Sequence, residues 1–92
     1  MNRIFYLPSF IKQLEKLRGD EAERVEEALT QFQRFVQSGE KEVGLGFKKI
    51  GPSHYEIRTD IHKRIAMKKY EDGFYLAIYG NHDDIEKFLS KQ

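Results

Sequence analysis

From Phe10 to Val36 the apolar residues recur at helical spacing in two stripes divided by Gly19-Asp20, and this limits the fold more than any other feature. Phe10, Ile11, Leu14 and Leu17 make the first stripe, with Pro8 ending what precedes it, Ser9 as N-cap and Gly19 as stop. Asp20 is positioned to cap the second helix, with Glu21 and Glu23 at its positive end. Val25, Ala28, Leu29, Phe32 and Val36 form its apolar face, Arg24, Glu27, Gln31 and Arg34 lie opposite, and Gly39 ends it. The predicted helices are residues 9–18 and 20–38, a helical hairpin. Each helix has one apolar side to bury, so the pair requires a flat surface beneath it.

The rest of the chain supplies that surface, because its apolar period shortens to two. Asn2–Tyr6 reads as a first strand and Phe47–Ile50 as a second, closed by Gly51-Pro52. In His54–Thr59, Tyr55 and Ile57 share one face and His54, Glu56 and Arg58 the other. Residues 60–62 form a turn and Arg64–Tyr70 a strand in which Arg64, Ala66 and Lys68 share a face. Glu71-Asp72-Gly73 is a hairpin turn. Phe74–Tyr79 is the most apolar strand and is predicted to be central, next to the N-terminal strand. Alternation makes its Phe74, Leu76 and Ile78 the better core set and Tyr75 and Tyr79 the exposed pair, with a core position for either tyrosine as the alternative. Gly80-Asn81 breaks it, and Asp83–Leu89 is a last short helix. The predicted class is α+β. An N-terminal strand and a helical hairpin pack on one face of a mostly antiparallel twisted sheet of about four to five strands, a short C-terminal helix follows, and the other sheet face stays partly open. Residues 1–92 make a single domain.

Lys and Arg total 16 and Asp and Glu 15, a net charge of +1 that hides an uneven distribution. Residues 13–43 carry Glu15, Asp20, Glu21, Glu23, Glu26, Glu27, Glu40 and Glu42. Residues 47–69 carry Lys48, Lys49, Arg58, Lys63, Arg64, Lys68 and Lys69 against only Glu56 and Asp60. An anionic ligand responds to that local excess. Cysteine is absent, which excludes disulfides and thiolate chemistry. Met1–Ile11 is too short and too interrupted for a signal peptide or a membrane span, so a cytoplasmic protein is expected.

Several stretches, in order, resemble the RelE/ParE superfamily of toxins. Gly46-Phe47-Lys48-Lys49-Ile50 is similar to its lysine-bearing second strand, Tyr55-Glu56-Ile57-Arg58 to its Tyr-x-Leu/Phe-Arg strand, and Lys63-Arg64-Ile65-Ala66 to its Tyr-Arg-Val-Ile strand. Leu76-Ala77-Ile78-Tyr79-Gly80-Asn81-His82-Asp83-Asp84 resembles the closing strand and Gly-x-His-Asp-Asp turn of one branch. Where a tyrosine often follows that turn, this chain has Glu86. The resemblance covers nearly the whole chain. It implies a type II toxin–antitoxin toxin that cuts mRNA on the ribosome or, alternatively, poisons DNA gyrase by protein binding alone. It also implies an antitoxin protein as partner, with a dimer or a toxin–antitoxin heterotetramer as compatible assemblies, and no membrane.

Cleaving RNA without a metal uses the RNA's own 2′-OH as nucleophile. The protein must accept one proton, donate another and stabilise charge on the phosphoryl oxygens. Arg suits the oxygens through its planar fork, and His suits proton transfer near neutrality. The candidate catalytic residues are therefore Lys49, Arg58, Arg64 and His82, and the candidate RNA-binding residues are Lys48, Lys68 and Tyr79. Lys48 and Lys49 are adjacent, so at most one reaches the open face. Arg58 and Arg64 have an alternative as salt-bridge partners of Glu56 or Asp60. His82 has an alternative as a residue that only orders its turn, and Asp83 and Asp84 fit the first turn of the last helix. His54 and His62 fall in or near turns and are expected to be exposed. The three histidines lack metal-ligand spacing, so no metal and no cofactor is expected.

Overall fold

The computed structural model describes residues 2–41 and 44–92. Strand β1 (Arg3–Tyr6) runs directly into helix α1 (Pro8–Glu15). The cap of α1 is Leu7 and not Ser9, because Pro8, with its fixed φ and missing N–H, takes the first helical position. Ser9 instead donates its hydroxyl to the Ala77 carbonyl at 3.2 Å. The helix is shorter than residues 9–18, since the Lys16 N–H already turns back to Gln13 and Leu14. Helix α2 (Gly19–Ser38) starts one residue before Asp20, which lies in its first turn with Glu21. Its N-cap is Arg18, without a side-chain cap bond. Gly39 ends it at φ 79°, donating its N–H to the Phe35 carbonyl at 2.8 Å.

The remaining strands are β2 (Lys48–Lys49), β3 (His54–Arg58), β4 (Arg64–Tyr70) and β5 (Gly73–Gly80), and helix α3 (His82–Ser90) closes the chain. They form a five-stranded sheet in the order β1-β5-β4-β3-β2. Only β1 and β5 are parallel. The N-terminal strand therefore does lie beside Phe74–Tyr79, but the middle strand is β4. It is buried from both sides: Ile65 and Met67 face the helices, and Ala66 faces the other way, all at 0% exposure.

β1 pairs with β5 only from Gly73 to Leu76. Beyond that point the β5 backbone still needs partners, and α1 provides them. Gln13 accepts from the Tyr79 N–H at 2.9 Å and donates to its carbonyl at 2.7 Å, while Ser9 serves Ala77. Between the helices and the sheet lies one core that includes Phe10, Val25, Phe32, Leu45, Ile57, Ile65, Met67 and Leu76. An aromatic group stiffens its β2 side. Phe32 meets Phe74 edge-on at 5.3 Å, and Phe47 stacks on Tyr55 at 5.1 Å.

β5 departs from strict alternation. The β4–β5 register shifts between Ala66 and Met67, pairing Ala66 with Ile78 but Met67 with Leu76, so Ala77 is an extra residue. The bulge reverses the facing of everything after it. Ile78 is half-buried on the side away from the helix hairpin, and Tyr79 turns into the core at 6% exposure. There its hydroxyl donates to Glu21 at 2.6 Å. Burial, and then the Glu21 carboxylate, push the Tyr79 phenol well above its ordinary range.

The opposite sheet face is not left bare. Helix α3 returns across β5 and β4, burying Ile85 and setting Phe88 edge-on to His54 at 5.6 Å. His54 is consequently buried at 6% exposure instead of lying in the solvent. No helix among the described residues is long and apolar enough to cross a membrane.

Candidate nucleic-acid interface

Register decides which charges meet on the face that α3 only partly covers. Arg58 lies directly across from Arg64, and Glu56 lies across from Ala66 on one side and Lys48 on the other. Residues opposite one another in an antiparallel pair share a face. Lys48, Glu56, Arg58 and Arg64 thus stand together, away from the helix hairpin. Arg64 Nη1 donates to Glu56 Oε2 at 2.9 Å, and Lys48 Nζ lies 3.7 Å from the same oxygen. Arg58 is exposed, and its guanidinium has no ion pair or hydrogen bond among the described residues. Three cations share this face with one carboxylate, so the patch keeps a positive excess for an anion.

The Arg64 end of β4 also borders a groove lined by Ile61, His62, Lys63, Arg64, Asn81, His82 and Asp83. His82 enters it because Arg64 pairs with Gly80 and α3 begins immediately after. A Cβ on Gly80 would lie 2.6 Å from Asp84 Cβ, so only glycine lets the helix start this close to the strand. The turn is ordered by Asn81 and Asp84, not by His82. Asn81 Oδ1 accepts from the Asp84 N–H at 2.9 Å, and Asp84 Oδ2 accepts from the Asn81 N–H at 3.0 Å. His82 remains largely exposed, with Nε2 2.9 Å from Glu86 Oε1. Glu86 occupies the position where the resemblance would place a tyrosine, and here it is the partner of the histidine.

The β3–β4 turn that carries Ile61 and His62 is pinned by Asp60. Its carboxylate accepts from the His62 and Lys63 N–H groups at 2.7 and 2.9 Å and pairs with Arg24 of α2 at 3.3 Å. Burial pushes the Asp60 carboxyl up, but those hydrogen bonds and the Arg24 charge outweigh it and hold it below its ordinary value.

Three residues singled out in the sequence stand elsewhere. Lys49 pairs with Tyr55, whose ring belongs to the helix-side aromatic group, so Lys49 faces away from the Arg58–Arg64 patch. Tyr79 is buried on the helix side, because the Ala77 bulge inverts the alternation that would have exposed it. Lys68 shares the face of Arg64 but lies four residues along β4, about 13 Å away at ~3.3 Å per residue. Its ammonium sits 5.1 Å from the Tyr70 ring centroid, near the stacked Phe5 and Tyr75. Glu56 was visible in the sequence only as an opposing charge. Its place on the face of Arg58 was readable from alternation, but its burial among cations was not. Among the described residues no cluster of His, Asp and Glu is arranged to hold a metal ion.

No protein-family model matches the chain, and no curated protein matches it. Solved structures do. A chain of the RelB–RelE antitoxin–toxin complex from Methanococcus jannaschii is 19% identical over 91% of this chain and 96% of its own, with a TM-score of 0.64. A chain of the Escherichia coli DinJ–YafQ complex is 11% identical over 92% of this chain and 98% of its own, at 0.68. The Staphylococcus aureus YoeB dimer is 14% identical over 88% and 97%, at 0.62. At such identities the likeness lies in the fold, and it extends over nearly the full length of both partners. The chain has the α+β fold of the RelE, YafQ and YoeB structures.

Proposed function

We propose that this chain is the toxin of a toxin–antitoxin pair, acting in the cytoplasm as a ribosome-dependent, metal-independent mRNA endoribonuclease. The observation that carries this reading is the gathering of Arg58, Arg64 and Lys48 on one sheet face, with His82 in the groove that Arg64 borders. In the proposed reaction the ribose 2′-oxygen passes its proton to water as it attacks the adjacent phosphorus. The bond to the 5′-oxygen breaks, leaving a 2′,3′-cyclic phosphate and a 5′-hydroxyl. Arg58, unpaired and exposed, and Arg64, with one N–H already committed to Glu56, supply fixed donors to the phosphoryl oxygens. Lys48 replaces Lys49 in this scheme because it is the lysine on that face. Lys68 serves only a more distant part of the RNA, and Tyr79 takes no part in stacking. His82 donates the proton to the departing 5′-oxygen, and Glu86, whose Oε1 lies 2.9 Å from its Nε2, orients the ring. An antitoxin with an acidic segment would neutralise the same face.

Expression without an antitoxin should arrest translation, with mRNA cut only while it is being read. His82→Gln keeps hydrogen bonding but carries no proton at neutral pH, so it should slow cleavage on programmed ribosomes by about 10²–10⁴-fold with an unchanged thermal midpoint. Growth arrest with DNA breaks and intact mRNA would replace this reading with gyrase poisoning.

A further inference from the structure

A carboxylate at the centre of an anion-binding face is a liability unless it has work to do, and Glu56 is such a group. Its residue exposure is 4%, well below that of the cations around it. Lys48 has 62% of its side chain exposed and Arg64 20%. Burying an ionised carboxylate is costly unless it is paired and hydrogen-bonded, and a buried ion pair is weak evidence for stability. Here both cations converge on a single oxygen, Oε2. One Nη1–H of Arg64 is thereby committed, while its other guanidinium N–H groups have no partner among the described residues. A guanidinium held at one corner is biased toward one plane. An arginine that had to find that plane on each encounter would lose side-chain freedom on binding.

We infer that Glu56 is a positioning residue: by holding Arg64 and Lys48 on one carboxylate oxygen, it presets the Arg64 fork for an RNA phosphate in the groove shared with His82. This rests on the reading that the face takes RNA. Glu56 does not touch the substrate, because it lies beneath its cations. Its charge nevertheless opposes the phosphate that it helps to orient. The two effects have opposite signs, which a purely structural carboxylate would not produce. Removing the charge should strengthen ground-state binding and slow the chemical step.

The test compares Glu56→Gln and Glu56→Asp with wild type, each also in an Arg64→Ala background. Glutamine removes the charge and keeps the reach, whereas aspartate keeps the charge and shortens the reach. Binding is read by anisotropy of a fluorescein-labelled 2′-O-methyl oligoribonucleotide, which cannot be cut. Cleavage is read as the single-turnover rate on programmed ribosomes at saturating protein, with thermal midpoints alongside. Glu56→Gln should bind the oligonucleotide more tightly than wild type yet cut about 10- to 10²-fold more slowly. Glu56→Asp should cut slowly without tighter binding, and it carries the test if the glutamine variant does not fold. With Arg64 already removed, neither substitution should slow cleavage much further, since coupled residues are not additive. Equal losses in both backgrounds, or wild-type binding and cleavage in both variants, would overturn the positioning role while leaving the nuclease standing. A wild-type chain that neither binds the oligonucleotide nor cuts mRNA would overturn the RNA reading itself, and the positioning role with it.

Discussion

The two faces of this sheet are made by the same strands and obey opposite rules. Toward the helix hairpin, Tyr55, Ile57, Ile65, Met67, Phe74, Leu76 and Tyr79 are apolar or aromatic, and most are fully buried. On the other face the β2–β3–β4 corner carries Lys48, Glu56, Arg58 and Arg64, and α3 covers β5, β4 and the His54 end of β3. The first face holds the fold together through close packing. The second contributes little packing at that corner, and its buried carboxylate needs two cations to be tolerable. Substitutions should accordingly separate into those that unfold the chain and those that change only what it binds.

The largest effect is expected from Phe32→Ala. Phe32 is fully buried and touches the rings of Phe35, Phe47 and Phe74, so its loss should cost about 3–5 kcal/mol in urea unfolding. A loss below about 1 kcal/mol would mean that the helix-side core is not where the stability resides. Tyr79→Phe is smaller. It deletes the hydroxyl bonded to Glu21 while keeping the ring, and should cost about 1.5 kcal/mol by the same measurement.

Acid should also act on the tie between the two sides, the Asp60 carboxylate that joins α2 to the β3–β4 turn. Its folded-state pKa is lowered, so its contribution is complete above the unfolded value of about 3.9 and disappears as pH falls through the folded value. The difference in urea midpoint between wild type and Asp60→Asn should hold from pH 7 to about 5 and close below about 4. A difference constant down to pH 2 would show that the carboxylate's charge is not what pins the turn. The smallest stability effects belong to Lys48→Ala and Lys49→Ala, each within about 0.5 kcal/mol. Their RNA binding should differ. Losing Lys48 should flatten the salt dependence of log K by about 0.7, as for one phosphate contact on a single strand, and losing Lys49 should not. Equal slopes would put both lysines, or neither, on the interface.

Much of the architecture was legible in the sequence because apolar period reports secondary structure directly. The two helical stripes and the strands around Tyr55–Arg58 and Arg64–Tyr70 lie where spacing puts them. Spacing is silent about register and insertions. A two-residue β2 could send either lysine to the open face, and only its pairing with Glu56 and Tyr55 decides. One extra residue at Ala77 exchanged the roles of Ile78 and Tyr79. The docking of α3 over the open face had a signal, the Ile85, Phe88 and Leu89 stripe, but no partner surface was evident until the sheet was assembled. Leu45 is fully buried from a segment without regular structure, where periodicity has nothing to read. Of the proposed site, Arg58, Arg64 and His82 were readable as residue types. Their juxtaposition required the β3–β4 and β4–β5 pairings.

The absent side chain at Gly80 works as a gauge block. Asp84 occupies the space where a Cβ would be, with Cβ and Oδ2 both 2.6 Å from that point. The clearance between strand and helix is thus smaller than one methyl group, and it sets how far His82 stands from Arg64. A mechanism that relays one proton while holding one phosphate tolerates little play between those groups, and a misplacement of ~1 Å can cost about 10²-fold in rate. Any wider residue at position 80 would enter that gap as a shim. It would displace the start of the helix, histidine included, while leaving the identity of every residue in the proposed chemistry unchanged.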